Sequence, residues 1–185
     1  MCILLFYRDV NYGKIIKMKR VKLINDPAEL VALFRAVDSD ERRNVMTTLS
    51  EGWTMISDLI DKYGEGAHAA ITYFEKFKLV ESRWEVNNDT GRPEKAYRTF
   101  YNAFQISTSL TFDEAQELLT VVLMTEKEFK DIEAKIVEMI GSEGTFANDI
   151  SKNLNISSLT LKGLVRRSVK FDFKGHNIVP LKEEE

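Results

Sequence analysis

Residues 54–101, TMISDLIDKYGEGAHAAITYFEKFKLVESRWEVNNDTGRPEKAYRTFY, change their hydrophobic period once, and that change decides the fold. Ile56, Leu59, Ile60 and Tyr63 recur at helical spacing, which predicts a short helix opening at Thr54. Gly64-Glu65-Gly66 is a turn. Ala67, Ile71, Phe74 and Phe77 then mark the apolar side of a second helix, over about 67–78. From Val80 to Val86 the residues roughly alternate, as in a strand. The stretch from Asn87 to Pro93 is dense in turn formers, and 95–101 reads as the returning strand. Helix, turn, helix and a hairpin tipped by Gly91-Arg92-Pro93 is the order of a winged helix-turn-helix.

Upstream, Asp26-Pro27-Ala28-Glu29 starts a helix: Asp26 can cap, Pro27 suits the first turn and Glu29 can bond back. Leu30, Leu33, Phe34 and Val37 follow as its expected apolar face. Asp38-Ser39-Asp40-Glu41 opens another helix, with Val45, Met46 and Leu49 inward and Gly52 closing it. Residues 1–25 read as an N-terminal extension. Within it Met18-Lys19-Arg20 leads into the capped helix, so Met18 could be the true start; the alternative is an N-terminal strand.

Downstream, Thr111-Phe112-Asp113-Glu114 and Thr125-Glu126-Lys127-Glu128 are capping boxes for two successive helices, ending near Met124 and Ile140. Phe129, Ile132, Ile136, Val137 and Ile140 form the apolar face of the second. A weak repeat follows. Ser50-Glu51-Gly52 recurs as Ser142-Glu143-Gly144, and each triplet precedes an Asp-aliphatic pair, a turn, a helix and an alternating stretch. The expectation is a mainly α fold with small β-hairpin wings, a winged helix-turn-helix repeated in tandem. Residues 26–105 would form the DNA-binding domain. Residues 106–185 would form a helical connector or dimerisation region and the second, shorter unit.

The composition, 44% hydrophobic and 30% charged, suits a soluble globular chain. A single cysteine, Cys2, allows no internal disulfide and suits a reducing compartment, hence the cytoplasm. No run approaches the roughly 20 apolar residues of a membrane helix. The net charge of −3 argues mildly against nucleic-acid binding, but its distribution matters more than its sum. Residues 113–143 hold nine acids against three lysines; residues 160–176 hold five Lys or Arg against one Asp.

A winged helix lays one helix in the major groove and its hairpin on the backbone or minor groove. With Ala67, Ile71 and Phe74 underneath, His68, Ala69, Thr72 and Lys76 face outward. His68 and Thr72 can reach base edges or phosphates, and Ala69 allows close approach to a thymine methyl. The hairpin carries Arg83, Arg92, Lys95 and Arg98, of which Arg92, between Gly91 and Pro93, is the most pointed. A second basic cluster, Lys162, Arg166 and Arg167 with Lys170 and Lys174, would neutralise phosphates, or pair with the acidic 113–143 region. A helix that merely supports the fold or faces protein, and a solvated Arg92, are the competing readings.

The segment 30–52, LVALFRAVDSDERRNVMTTLSEG, resembles the opening of ArsR-type winged-helix repressors, and 54–80 continues the likeness into Leu79-Val80-Glu81-Ser82. The chain as a whole looks like archaeal members with a C-terminal extension. A closer likeness, to the regulators of archaellum (motility) transcription in euryarchaea, has no motif of its own here. The resemblance implies a homodimer on duplex promoter DNA, with 67–78 as recognition helix and 80–101 as wing. The sequence departs from the metal-sensing branch: Cys2, His68 and His176 are scattered, and a metal site needs three or four converging ligands, so neither metal nor cofactor is expected. No phosphate loop or nucleophile motif argues for an enzyme. The other function class is a tandem winged-helix scaffold in a transcription or chromosome-organising complex, in contact with the basal machinery; net acidity favours it.

Overall fold

A computed structural model describes residues 20–181. The expectations for Met18 and residues 1–17, including Cys2, and for the acidic tail 182–185 lie outside those residues. The chain divides into two compact units. The first holds 36–107 and the strand preceding them, and the second holds 26–35 and 108 onward.

In the first unit, β1 (Val21–Ile24) pairs in parallel with β5 (Ala103–Ile106). Part of the supposed extension is therefore a strand of the unit. Helix α2 (Asp40–Glu51) starts where Ser39 Oγ accepts the Arg42 N–H and ends at Gly52. Then come β2 (Thr54–Met55), α3 (Ile56–Tyr63), α4 (Gly66–Lys76), β3 (Val80–Val86) and β4 (Pro93–Thr99). Thr54 thus begins a two-residue strand rather than the helix. It closes the sheet β2-β4-β3, in which Thr54 faces Tyr97 and Val80 faces Thr99. Val45, Leu49, Leu59, Ala67, Ala70, Ile71, Tyr73 and Phe74 are buried beneath that sheet and its hairpin.

The second unit starts with α1 (Glu29–Arg35), which the sequence placed in the N-terminal domain. Asp26 caps it, accepting the Ala28 N–H at 3.0 Å. Its buried side is Ala28, Val31 and Ala32, whereas Phe34 and Val37 of the expected face are exposed. Small residues face inward because α1 lies against α8 (Ser158–Arg167) and α5 (Phe112–Leu123). Both predicted capping boxes are present, at Thr111–Glu114 on α5 and Thr125–Glu128 on α6 (Glu126–Ile140). On α6, Phe129, Ile136 and Ile140 are buried, but Val137 is exposed and Glu133 is buried in its place, accepting from Ser168 Oγ at 2.6 Å and pairing with Lys170.

After α6 the element order of the first unit returns. β6 (Thr145–Phe146), α7 (Ala147–Leu154), α8, β7 (Phe171–Lys174) and β8 (Asn177–Pro180) form a sheet of order β6-β8-β7. This is the β2-β4-β3 arrangement again, so the three-residue repeat in the sequence marked a real duplication of fold.

Candidate nucleic-acid interface

Helix α4 buries Ala67, Ala70, Ile71, Tyr73 and Phe74 and exposes His68, Ala69 and Thr72, as its periodicity predicted. Thr72 Oγ1 donates to the His68 carbonyl at 3.1 Å, which leaves the hydroxyl oxygen outward as an acceptor. Lys76 is half-buried, its Nζ 5.0 Å from the Phe77 ring centroid. At the helix start, glycine at position 66 leaves room for the Glu41 carboxylate, which a Cβ there would strike. That acid complements the positive end of the helix dipole. It also makes the extreme N-terminus of α4 unwelcoming to phosphate, so the open face is the outer one, through His68, Ala69 and Thr72.

The wing is pinned by residues that the sequence reading passed over. Asn87 is buried at the end of β3. Its Oδ1 accepts the N–H groups of Asp89 and Thr90, and its Nδ2 donates to Glu94 Oε2 at 2.7 Å. Glu94 Oε1 in turn accepts the Ser57 N–H at 2.6 Å, in the first turn of α3. Burial pushes the Glu94 carboxyl up, but the bonds from Asn87 and Ser57 prevail and hold it below its ordinary value. Gly91 takes φ 67°, a conformation that favours glycine, and its N–H donates to the Asn87 carbonyl at 2.8 Å. The turn carrying Arg92 is therefore organised from beneath and tied to the helix-turn-helix. An Asn opening a turn-dense stretch was the visible signal, since its amide can bond the backbone two residues on.

The basic wing residues divide. Arg92 is exposed at the tip and has no ion-pair partner among the described residues. Arg83 bonds Glu85 and lies over the Trp53 ring, 4.1 Å from its centroid; Arg98 lies over the same ring at 4.5 Å. Arg98 also bonds Glu81 at 2.6 Å, which accepts from Arg20 at 2.8 Å as well. Burial raises the Glu81 carboxyl, yet the two guanidinium bonds hold it below its usual range. Lys95 is 4.0 Å from Glu75. Trp53 and Glu81 thus array Arg83 and Arg98 along one side of the hairpin.

The C-terminal basic cluster is not a comparable surface. Thr54 and Thr145, Ile56 and Ala147, and Val80 and Phe171 begin matching elements and are each 91 positions apart. The same separation matches the buried Ala70, Tyr73 and Phe74 to the buried Leu161, Leu164 and Val165. It then carries His68, Ala69, Thr72 and Lys76 onto Leu159, Thr160, Gly163 and Arg167. None of the four is exposed. Leu159 packs on the core, and Thr160 Oγ1 donates to Glu117 at 3.0 Å. A Cβ on Gly163 would lie 3.5 Å from Leu118 and Val121. Arg167 corrects the sequence reading outright. It is buried, donates to the Val121 carbonyl at 2.7 Å and to Glu126 at 2.8 Å, and stacks on Phe129. It caps the end of α5 and cannot meet a phosphate. Lys162 and Arg166 stay nearer the surface, 3.6 Å from Asp26 and Asp172 respectively.

Among the described residues no three His, Cys, Asp or Glu side chains converge on a metal position, and no helix is long and apolar enough to cross a membrane. Two winged helices, one with its outer helix face open and its hairpin basic, define a protein of the DNA-binding regulator class. The sequence profile of the ArsR transcriptional regulator family matches residues 24–182, and the chain belongs to that family. No curated protein matches the chain.

Proposed function

We propose that the first unit reads duplex promoter DNA, with α4 in the major groove and the wing on the backbone or minor groove. His68, Ala69 and Thr72 approach base edges. Lys76, Arg83, Lys95 and Arg98 flank them as phosphate contacts, and Arg92 reaches the groove beyond. The observation that carries this reading is the contrast between the units: the outer face of α4 is open where that of α8 is covered. For Arg92→Ala we expect about a three- to tenfold loss of affinity for promoter DNA at moderate salt, an unchanged unfolding midpoint, and a shallower salt dependence by about one phosphate contact. Fluorescence anisotropy across a salt series measures both; wild-type affinity would remove the wing from the interface.

The regulator would act in the cytoplasm as a homodimer. Phe112, Leu119 and Leu123 form an exposed apolar stripe along α5, which suits burial against a second copy. Sedimentation velocity at micromolar protein should return the dimer mass, and a monomer alone would refute this. The covered face of α8 favours a protein-binding role for the second unit, including contact with the basal transcription machinery. A chain whose DNA affinity is nil at low salt would be an interaction scaffold throughout.

A further inference from the structure

The β3–β4 hairpin is longer than its sheet requires. β3 has 7 residues and its counterpart β7 has 4, yet the shorter hairpin completes the same three-stranded order. The separation of 91 positions that matches Val80 to Phe171 carries Trp84 onto Gly175, in the turn of the second hairpin. The wing beyond Trp84 therefore has no counterpart in the second unit. It carries the two most exposed large hydrophobic residues described in the first unit, Trp84 at 68% and Val86 at 60%. Alternation and register put them on one face of the hairpin with Lys95, opposite Trp84, and Pro93, opposite Val86. Glu85 and Glu94 oppose one another on the other face. Lys95 Nζ comes within 4.0 Å of Glu75 on α4, so the face that bears Trp84 is the one turned to α4. A DNA groove filled by the outer side of α4 would continue past that same face.

We infer that Trp84, with Val86 beside it, packs into the DNA groove next to the one that α4 enters, as an apolar contact set between the cations Lys95 and Arg92. The inference rests on the DNA-binding reading above and adds a nonionic contact to it. An indole is a large apolar surface whose burial needs a partner, and the overhanging hairpin supplies none. Lys95 lies across the strand from the ring, and Arg92 is exposed at the adjoining tip. An apolar side chain framed by cations fits the wall of sugars and base edges between two rows of phosphates. Such a contact releases no counterions, so Trp84 contributes affinity that salt does not remove, whereas each basic wing residue adds to the salt dependence.

Anisotropy over a salt series tests this, with a fluorescein-labelled duplex that the full chain has selected from a random pool. Trp84→Thr keeps a strand-forming residue at an exposed position, so the thermal midpoint should hold. Its affinity should fall about tenfold at every salt concentration with the salt slope unchanged, and Trp84→Phe should recover most of the loss. The chain has 2 tryptophans, so the quenching of indole emission by the duplex should drop by more than half in Trp84→Phe. Wild-type affinity in Trp84→Thr, with Arg92→Ala still weakened, would overturn the inference and leave the DNA reading standing. A salt slope reduced as in Arg92→Ala would make the effect electrostatic and overturn it as well. Conversion of a dimer to monomer by Trp84→Thr in sedimentation would put the ring between two copies of the chain instead. A random pool from which the full chain retains no duplex would end the DNA reading and this contact with it.

Discussion

Arg167→Ala should destabilise the second unit by about 3 kcal/mol and leave DNA affinity unchanged. In the native fold the guanidinium satisfies the Val121 carbonyl at the end of α5, bonds Glu126 and covers the Phe129 ring. Hydrogen bonds involving a charged group contribute roughly 1.5–3 kcal/mol each, and a carbonyl left buried without a donor adds its own desolvation cost. Glu126 is largely exposed, so its carboxylate rehydrates once released and the loss stays near the lower end for a severed buried pair. Burial raises the Glu126 carboxyl, but the bonds from Arg35 and Arg167 outweigh it and leave the group below its ordinary value in the fold. A carboxyl depressed on folding contributes stability above its unfolded value and loses it as pH falls through the folded one. The deficit of the variant relative to wild type should therefore shrink in mild acid. Urea unfolding at neutral and acid pH, beside anisotropy on promoter DNA, tests both halves. A fully stable variant with weakened DNA binding would return Arg167 to the interface.

Thr72→Glu addresses the opposite surface. Thr72 sits at the centre of the exposed face of α4, and its side chain bonds the His68 carbonyl of its own helix. Glutamate is at least as good a helix former, so the fold should hold within about half a kcal/mol. In a major groove the new carboxylate would face phosphates and base acceptors together. Loss of a base contact, at about 1–3 kcal/mol, and repulsion from the backbone should lower affinity by on the order of a hundredfold. Anisotropy at fixed ionic strength, with circular dichroism to verify the helix, measures it. Unchanged affinity would mean that α4 does not enter the groove.

Local signals carried most of the architecture. The capping boxes at Thr111 and Thr125, the period change after Lys78 and the turn formers around Gly91 are decided by residues close in sequence, and the structure contains all of them. Longer-range outcomes were not legible. Leu30, Leu33, Phe34 and Val37 announce a helix but not its partner, and close packing on α8 selected the small residues Ala28, Val31 and Ala32 instead. The two-residue strands β2 and β6 are shorter than any period can register, and β1 depends on a partner strand about 80 residues away. At the candidate interface, counting charges could not separate Arg92, which is exposed, from Arg167, which closes the end of a helix. Nor could it show that Asn87 and Glu94, neither of them basic, hold the turn that presents Arg92.

The lid that α5 forms over α8 fixes a counting rule. A chain with two copies of a DNA-binding module would ordinarily span two successive half-sites on its own. On the reading proposed above, only one module has a free reading edge, so each polypeptide would occupy a single half-site, and a two-half-site operator would have to recruit two polypeptides. Operator spacing is then set by how two molecules associate rather than by the link between duplicated halves of one.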